Sequence, residues 1–472
     1  MEETHVVTCF LRNRGEVLLL RRSEEVGSYP GLWGGVAGHV ENSPDDADHV
    51  ECDPNDGSDP DAAARKEIAE ETGVLSACTL ARRGTSFEFT DEDLETRWVV
   101  HPYLFDCDSR DAETDWETAA FEWVHPTEIL RHETVPNLWA SYSRVAPTVQ
   151  QVAEDADHGS AYVSVRALEV LRDRAGEMAV DHGVGNKYSV IEYLKEFERT
   201  KNNCKRNRKK SGDEWPELAV LAEQLLDARP SMAAVANRVN RAMAEASEEA
   251  AAEAVERAAR EGVERAVHAD EEAAANAADE IRGETVLTLS RSGTVLSALP
   301  AAERVFVAES RPAREGVGVA ERLAGETDGD GPEATLHTDA AVAHVLATED
   351  VDAVVVGADA VLPDGRVVNK TGTRGAALAA NREDVLFYAV TATDKIRTDE
   401  AVHLEDGNPE AIYDSEAAEG DDGEADLGIL NPTFDVTPAD LVSGVLTERG
   451  TFDADGISEV VAELRELSAW RE

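Results

Sequence analysis

The chain has 472 residues and a formal net charge of −52, because 97 Asp and Glu residues outnumber 45 Lys and Arg residues. This length predicts two or three domains, and a hydrophobic content of 42% is sufficient to bury their cores. The acidity argues against nucleic-acid binding, which requires clustered Lys and Arg. It is typical of a protein from a salt-loving organism, whose carboxylates keep the surface hydrated.

The amino-terminal residues and the cysteines indicate where the protein is found. The first residues, MEETHVVTCF, lack the basic start and apolar core of a signal peptide. No apolar run approaches the roughly 18–20 residues that cross a membrane. The five cysteines form no CxxC pair, so the sequence favours neither a zinc site nor a disulfide framework. We therefore expect a cytoplasmic protein with no membrane partner.

The amino-terminal third is predicted to combine short strands with one helix. The predicted strands are 5–11, 16–21, 85–90, 97–105 and 120–124. A glycine-rich stretch and then an acidic loop at 42–60 follow the second strand. The segment DAAARKEIAEET at 61–72 predicts a helix, and Gly73 stands where a helix ends. This order indicates an α/β domain.

The middle of the chain is predicted to be mainly helical. Residues 126–157 are interpreted as a closing helix followed by a linker, and further helices begin near 160. One long Ala/Glu helix is predicted over 232–281, either solvated or part of a bundle. Residues 186–212 carry a charge of about +6, which favours a solvated insertion over an RNA-binding or partner-binding patch.

The last part of the chain, from residue 285, alternates between strand and helix. Four apolar runs are separated by helical segments: TVLTL, RVFVAES, VDAVVVGAD and DVLFYAV. Such alternation predicts a parallel, doubly wound sheet.

The segment KEIAEETGV carries the first candidate site. Glu67, Glu70 and Glu71 lie at i, i+3 and i+4, so their carboxylates project from one helical face. Taken alone, this spacing is more typical of an ordinary solvated face in so acidic a chain. Carboxylates this close together repel unless a cation lies among them, and oxygen ligands suit Mg²⁺ or Mn²⁺. Such an ion can bridge a pyrophosphate, polarise it and activate water.

The surroundings of this segment change the interpretation. With WGGVAGHVE before the helix and FEWVHPTEI after it, the region resembles the Nudix hydrolase family. The resemblance implies a Nudix α/β/α sandwich over 1–140 that cleaves nucleoside-diphosphate linkages. It also implies metal ligation by four residues, of which the three glutamates are catalytic: Gly38 through its carbonyl, Glu67, Glu70 and Glu71.

Three features depart from the Nudix pattern. Lys66 replaces the usual Arg and offers a point charge in place of a bidentate fork. The loop before the helix is longer than in the family. Ser58 stands where the first Glu would be, so Asp59 and Asp61 are candidate substitutes. The family often has a further metal-binding Glu downstream, for which the candidates are Glu88, Glu92 and Glu95.

Six segments after residue 155 form a second pattern: DARPSM, TVLTLSRSGTVLSAL, VFVAESRPAREG, VGADAVLPDGRVVNKTGT, TATDKI and NPTFDVTPADLVSGVLTERG. They resemble the superfamily of translation initiation factor 2B α, β and δ subunits. Its enzymatic members are methylthioribose-1-phosphate isomerase and ribose-1,5-bisphosphate isomerase. The resemblance implies a helical part over 156–283 and a Rossmann-like sheet over 284–472, usually in a homodimer.

In these isomerases a Cys and an Asp move protons. Asp359 matches the Asp and is the candidate catalytic residue, although a carboxylate there can also cap a turn. Ser290 holds the Cys position, and its hydroxyl cannot form the corresponding thiolate. Glu315 stands where the methylthioribose enzyme has Gln. The resemblance assigns substrate binding to Arg229, Ser290, Asn369, Lys370 and Lys395.

The sequence therefore predicts a fusion protein with two sites for small phosphorylated molecules. A metal-dependent Nudix hydrolase at 1–140 is joined by a linker at 141–155 to a module that binds a ribose phosphate or a nucleotide. Two alternatives remain open. One is a non-catalytic regulatory or initiation-factor-like binding protein, and the other is a sugar-phosphate isomerase.

Overall fold

The computed structural model describes residues 2–40, 59–155, 158–181, 214–325, 331–402, 404, 406–413 and 427–471. The basic insertion, Ser58 and nearly all of the acidic loop lie outside these ranges. The chain divides into two compact units. Unit 1 comprises Met1–Thr148, Leu168–Leu221 and Glu249–Val263, and unit 2 comprises Val149–Ala167, Ala222–Glu248 and Glu264–Glu472.

Unit 1 is built on a mixed sheet. Its strands are β1 (Glu2–Asn13), β2 (Glu16–Arg22), β3 (Trp33–Gly34), β4 (Val36–His39), β5 (Cys78–Arg83), β6 (Phe87–Asp91), β7 (Thr96–Cys107) and β8 (Thr118–Val124). Two helices within it are α1 (Pro60–Thr72) and α2 (Leu138–Tyr142). β1 runs parallel to β7 and antiparallel to β2 and β4. The five predicted strands are therefore confirmed, and β3 and β4 come from the glycine-rich stretch.

Alternation along β1 explains the two cores of this sheet. Val7, Cys9 and Leu11 share one face with Ala64 and Ile68 of α1. The residue between two of them points the other way, because successive side chains of a strand alternate. Phe10 accordingly packs with a second cluster that includes Leu138 and Tyr142 of α2. The sheet is thus covered on both faces, as the sandwich prediction requires.

Helix α1 begins and ends where its sequence indicates. The Asp59 side chain accepts a hydrogen bond from the backbone N–H of Asp61 at 3.4 Å, and Pro60 occupies the first turn, where a missing N–H is tolerated. Gly73 ends the helix with φ at 69°, and its N–H donates to the Ala69 carbonyl at 3.2 Å. The predicted helix over 61–72 is confirmed.

The remaining helices up to the second sheet are α3 (Val149–Glu154), α4 (Ser160–Asp181), α5 (Glu214–Ala228), α6 (Ala233–Ala246) and α7 (Ala252–Glu280). The prediction of one helix over 232–281 was wrong, since α6 and α7 are separated by a turn in which Ala250 has φ at 48°. No Gly or Pro marks this break. Ala246 and Ala252, on either side of it, are both fully buried, so packing of each helix decides the turn. No helix among the described residues is long and apolar enough to cross a membrane.

Unit 1 also contains a buried ionic cluster that joins strand β1 to helix α4. Arg12 Nη1 donates to Glu169 Oε2 at 3.3 Å, and both side chains are almost fully buried. Arg172 donates to the Gly15 carbonyl at 2.6 Å and to Asp173 Oδ1 at 2.8 Å. Helix residues from 168 onward therefore belong to the same compact unit as the amino-terminal sheet.

Unit 2 contains a parallel sheet. The strands of unit 2 are β9 (Thr285–Leu289), β10 (Arg304–Ala308), β11 (Glu333–His337), β12 (Ala353–Gly357), β13 (Ala360–Val361), β14 (Val367–Lys370), β15 (Leu386–Val390), β16 (Phe434–Thr437), β17 (Gly444–Thr447) and β18 (Gly450–Phe452). Of these, β13, β14 and β16 form a small separate sheet. Its later helices are α8 (Gly293–Ala298), α9 (Glu315–Gly325), α10 (Val342–Thr348), α11 (Thr373–Arg382) and α12 (Ala454–Glu466).

The order of the large sheet is β11-β10-β9-β12-β15-β17-β18, and only the β17–β18 pair is antiparallel. Numbered from β9, the first six strands follow the 3-2-1-4-5-6 order of a doubly wound fold. The predicted parallel sheet is confirmed. The chain reverses its direction of winding between β9 and β12, and ligands bind outside the carboxyl ends of strands at such a point.

Candidate functional site

Helix α1 and strand β4 form the first candidate site. Gly38 is paired with Val7 of β1, whose side chain packs towards α1, so Gly38 faces the same helix. A Cβ atom built on Gly38 would lie 2.0 Å from Cδ of Glu67. A side chain at position 38 would therefore displace the Glu67 carboxyl group from the strand. Gly38 and Glu67, which are 29 positions apart in the sequence, are brought together as predicted.

Glu67, Glu70 and Glu71 of α1 differ in exposure. Burial, followed by the charge of Glu67, raises the pKa of Glu71 from 4.5 to about 8. Burial and the charge of Glu70 raise the pKa of Glu67, while Lys66 opposes this shift. Glu71 is buried, Glu67 is half-buried and Glu70 is exposed. Glu67 therefore interacts electrostatically with both Glu70 and Glu71, and a cation among these carboxylates would reduce the repulsion.

Two further carboxylates raise the pKa values of these glutamates, and the sequence did not predict them. Asp115 and Glu117, in the loop before β8, both raise the pKa of Glu67 and of Glu71. Arg22 at the end of β2 has the opposite effect on Glu71. The sequence signal that could have located the loop is DWE, where two acids flank an exposed Trp116 immediately before a strand.

The Nudix resemblance implies a divalent metal at this site. Within the described residues, no group of three or more His, Cys, Asp or Glu side chains is arranged as a ready-made metal centre. The donor set nevertheless fits a hard cation. Glu67 and Glu71 are oxygen donors. The charge of Glu67 raises the pKa of Glu71, the charge of Glu70 raises the pKa of Glu67, and a bound cation would offset this repulsion.

The candidate substitutes for the missing first Glu have other partners. Asp61 accepts hydrogen bonds from Arg83 and from the Tyr103 hydroxyl, the latter at 2.8 Å, and the bond from Arg83 lowers its pKa. Asp59 caps α1. Among the downstream candidates, Glu88 pairs with Arg97, and Glu92 and Glu95 lie in the exposed turn after β6.

Glu71 gives the stability of the metal-free protein a predicted pH dependence. An acid with a pKa raised from 4.5 to about 8 by folding binds its proton more tightly in the folded state. Its contribution to stability therefore falls as pH rises through this interval, by at most about 1.4 kcal/mol per pH unit. Thermal unfolding at pH 5 to 8 in chelator should show a smaller loss for Glu71→Gln than for the wild type. Equal slopes in the two proteins would contradict the assignment.

The second candidate site lies at the carboxyl ends of strands β9 and β12. Ser290 directly follows β9 with φ at 63°, and its N–H donates to the Ser310 hydroxyl at 2.6 Å. Asp359 follows β12, and its N–H donates to the Val368 carbonyl at 2.9 Å. A Cβ on Gly357, at the end of β12, would lie 2.7 Å from Cβ of Ser292. Both Ser290 and Asp359 are thus placed at the point where the winding reverses.

The predicted substrate-binding side chains lie around this point with differing partners. Lys370 Nζ is 2.9 Å from Oε1 of Glu315, and both groups are partly exposed. Lys395 is buried and donates to the Ala358 carbonyl at 3.2 Å, one residue before Asp359. Asn369 is buried and donates to the Thr373 hydroxyl at 3.0 Å.

Arg229 lies just after α5. Its guanidinium donates to the backbone carbonyls of Asp155 and, at 3.5 Å, of Ala153. These bonds tie it to the end of α3. The structure therefore shows a structural role for Arg229, and its phosphate-binding role stays a prediction.

Two family models match different parts of the chain. The family model of the NUDIX domain matches residues 2–145, and the family model of the Initiation factor 2 subunit family matches residues 184–454. The methylthioribose-1-phosphate isomerases of Stutzerimonas stutzeri and Heliobacterium modesticaldum are 36% and 38% identical to this chain over 172 residues. Each alignment covers 34% of this chain, and it covers 46% and 48% of the relative. The chain thus spans less than half the length of these relatives.

Two solved structures from Pyrococcus horikoshii are also similar. The 5-methylthioribose 1-phosphate isomerase is 19% identical with a TM-score of 0.47, covering 74% of this chain and 90% of that one. The translation initiation factor eIF-2B is 23% identical with a TM-score of 0.46, covering 64% and 94%. The family match from 184 to 454 extends over more than half of the sequence. The chain therefore belongs to the Initiation factor 2 subunit family and carries a NUDIX domain at its amino-terminal end.

Proposed function

We propose that the NUDIX domain is a pyrophosphohydrolase that cleaves a nucleoside-diphosphate-linked substrate with the help of a divalent metal. The observation that carries the proposal is the pair Glu67 and Glu71, whose pKa values are both raised by burial and by neighbouring carboxylates. Perturbed acids of this kind cluster at functional sites more often than on ordinary surfaces. An ordinary solvated helix face would leave Glu71 exposed, whereas it is buried.

Mg²⁺ or Mn²⁺ suits a site made of carboxylate and carbonyl oxygens. We assign its ligands to Gly38, through the carbonyl, Glu67, Glu70 and Glu71. When bound, the ion polarises the pyrophosphate and lowers the pKa of water. Glu67, half-buried beside Gly38, is either a ligand or the carboxylate that positions and accepts the proton of the attacking water. Asp115 and Glu117 are further candidate carboxylates for either task.

Pyrophosphatase activity tests this proposal. The full chain is assayed in high salt with Mg²⁺ or Mn²⁺ on nucleoside diphosphate sugars, ADP-ribose and nucleoside triphosphates, beside Glu70→Gln. We expect turnover of at least one substrate, lost with the metal and strongly reduced in the variant. No turnover on the whole panel would favour the alternative, a non-catalytic binding protein, as would co-purification with initiation factor 2 or ribosomes.

We further propose that the module of the Initiation factor 2 subunit family binds a small ribose phosphate or nucleotide. Lys370 and Lys395 support this, since lysine is scarce in the chain and these two lie beside the carboxyl ends of the strands. The names of the relatives favour a sugar-phosphate isomerase as the second candidate function. Ser290 disfavours it, because a hydroxyl cannot supply the thiolate of a catalytic cysteine. Isomerase activity gained by Ser290→Cys would show that only this group is missing.

Two substitutions at the Lys370–Glu315 ion pair should change phosphate binding in opposite directions. Lys370→Ala removes a charge-assisted hydrogen bond and should weaken binding of ribose 5-phosphate roughly 10- to 100-fold. Glu315→Gln frees Lys370 from its 2.9 Å partner and should tighten binding several-fold. Titration calorimetry measures both, with Arg282→Ala, an exposed residue before the amino end of β9, as the control. A wild-type affinity in both variants would exclude Lys370 from the site.

The two sites would be linked by a substrate such as ADP-ribose, whose hydrolysis yields AMP and ribose 5-phosphate. We propose that the second module binds one of these products. Calorimetry of the full chain with each product checks the link, which we would abandon if neither binds.

We also propose a cytoplasmic, high-salt setting and a homodimer. Light scattering of the full chain in concentrated salt would test the homodimer.

A further inference from the structure

Two cysteines of unit 1 face each other across neighbouring strands. Cys78 begins β5 and Cys107 ends β7, and the two residues are direct partners in this antiparallel ladder. Their sulfur atoms are 3.0 Å apart, with the Cys78 thiol donating to the Cys107 sulfur. Both are free thiols. Directly opposed residues of antiparallel strands have Cα separations of about 4.5–5.5 Å, which is within the range that a disulfide spans.

We propose that Cys78 and Cys107 are an oxidation site that forms a reversible cross-strand disulfide when the protein meets a hydroperoxide. Closure needs the sulfur atoms to approach by about 1 Å from their present distance. Rotation of the two side chains can supply this, because the strands already hold the residues in register. The chain contains three other cysteines, and Cys9, the third within the described residues, contacts the Ala64 carbonyl instead.

The chemistry requires one thiolate and one thiol. The hydrogen bond from Cys78 lowers the pKa of Cys107 below the ordinary value for a thiol. Cys107 is buried and Cys78 is partly exposed, so the hydroperoxide reaches the pair from the Cys78 side. The Cys107 thiolate attacks one oxygen of the hydroperoxide, the O–O bond breaks, and a sulfenic acid forms while hydroxide or alkoxide leaves. The Cys78 sulfur then attacks the sulfenic sulfur, and its proton departs with the hydroxyl group as water. The two thiols lose two electrons in total, and the hydroperoxide gains them.

The disulfide would join two chain segments that lead to the candidate metal site. The segment before Cys78 leads back to the end of α1, where the Thr72 carbonyl accepts from Glu113 N–H at 2.9 Å. The segment after Cys107 begins with Asp108, whose N–H donates to the Ala77 carbonyl at 2.9 Å. A disulfide parallel to these bonds restricts the unfolded chain. We therefore expect oxidation to raise the unfolding temperature of unit 1 by several degrees.

Peptide mapping after peroxide treatment tests the proposal on the full chain. The wild type is treated with hydrogen peroxide, alkylated and digested, with and without later reduction by dithiothreitol. We expect a Cys78–Cys107 peptide that dithiothreitol abolishes, together with the rise in unfolding temperature. The Cys52→Ser/Cys204→Ser variant, changed only outside the described residues, should behave as the wild type does. Cys78→Ser should lose both effects.

Three outcomes would overturn the proposal, and none of them requires a variant to fold. They are free thiols at both positions after oxidation, a cross-link of either cysteine to Cys52 or Cys204, and direct conversion of Cys107 to sulfinic acid. Formation of the Cys78–Cys107 disulfide and pyrophosphohydrolase activity are tested independently, because peptide mapping needs no substrate.

Discussion

Replacement of Glu71 by glutamine is expected to reduce kcat/KM for pyrophosphate cleavage by roughly 10²- to 10³-fold, the scale of losing one preorganised electrostatic group. Glutamine has nearly the same size but lacks the charge that would ligate the metal. Glu71 is 8% exposed and its pKa is raised to about 8, so the charge is costly to the folded protein without a cation. Initial rates across a metal titration provide the measurement, and the metal concentration required for activity should rise.

The matched control is Glu92→Gln. Glu92 is an exposed glutamate of the same unit, in the turn after β6, and it was a candidate for the downstream ligand. We expect its substitution to leave the rate within about twofold, as for a surface change. A large loss in Glu92→Gln, with little loss in Glu71→Gln, would move the metal site to the turn after β6.

Replacement of Arg172 by leucine should destabilise unit 1 by about 3–5 kcal/mol, because it leaves a buried carboxylate without its cation. The Arg172 side chain is fully buried and bonds to Asp173 at 2.8 Å and to the Gly15 carbonyl at 2.6 Å. Asp173 also accepts from the Tyr142 hydroxyl at 3.0 Å. Chemical denaturation followed by tryptophan fluorescence, in constant high salt, measures the free energy of unfolding.

Two variants separate the buried charge from packing. Arg172→Leu/Asp173→Asn leaves no unpaired charge and keeps an acceptor for Tyr142, so it should recover part of the loss. Arg257→Leu removes an ion pair of unit 1 with Glu249, whose side chains are 52% and 58% exposed, and should change stability by less than about 1 kcal/mol. If Arg172→Leu proved as mild as Arg257→Leu, α4 would not be an energetic part of unit 1.

Local patterns in the sequence were sufficient for the main elements of both units. The helical period of α1 and its stop at Gly73 depend on neighbouring residues only, and the helix lies where they indicate. The four apolar runs predicted parallel strands because a strand covered on both faces is apolar throughout. The edge strand β11 was missed, since EATLH is partly exposed and carries no such run. The break between α6 and α7 was missed because Ala and Glu favour helix on both sides of it.

Some residues of the candidate sites could also be located from local patterns, and others only from the fold. Three carboxylates on one helical turn follow from a spacing of three and four residues, so the sequence by itself located Glu67, Glu70 and Glu71. Asp115 and Glu117 act on those glutamates only because the loop before β8 returns to α1. No local period relates residues more than 40 positions apart, and their proximity is a property of the sheet.

The sequence alone determined the families of the two modules, the helix that carries the first site and the strands whose ends carry the second. Only the tertiary structure decided which helices complete unit 1, through buried pairs such as Arg12 with Glu169. It also decided that Cys78 faces Cys107, through the register of β5 and β7. The physical reason is range: helix and strand patterns arise from neighbours along the chain, whereas charge pairing, register and burial depend on which distant segments pack together.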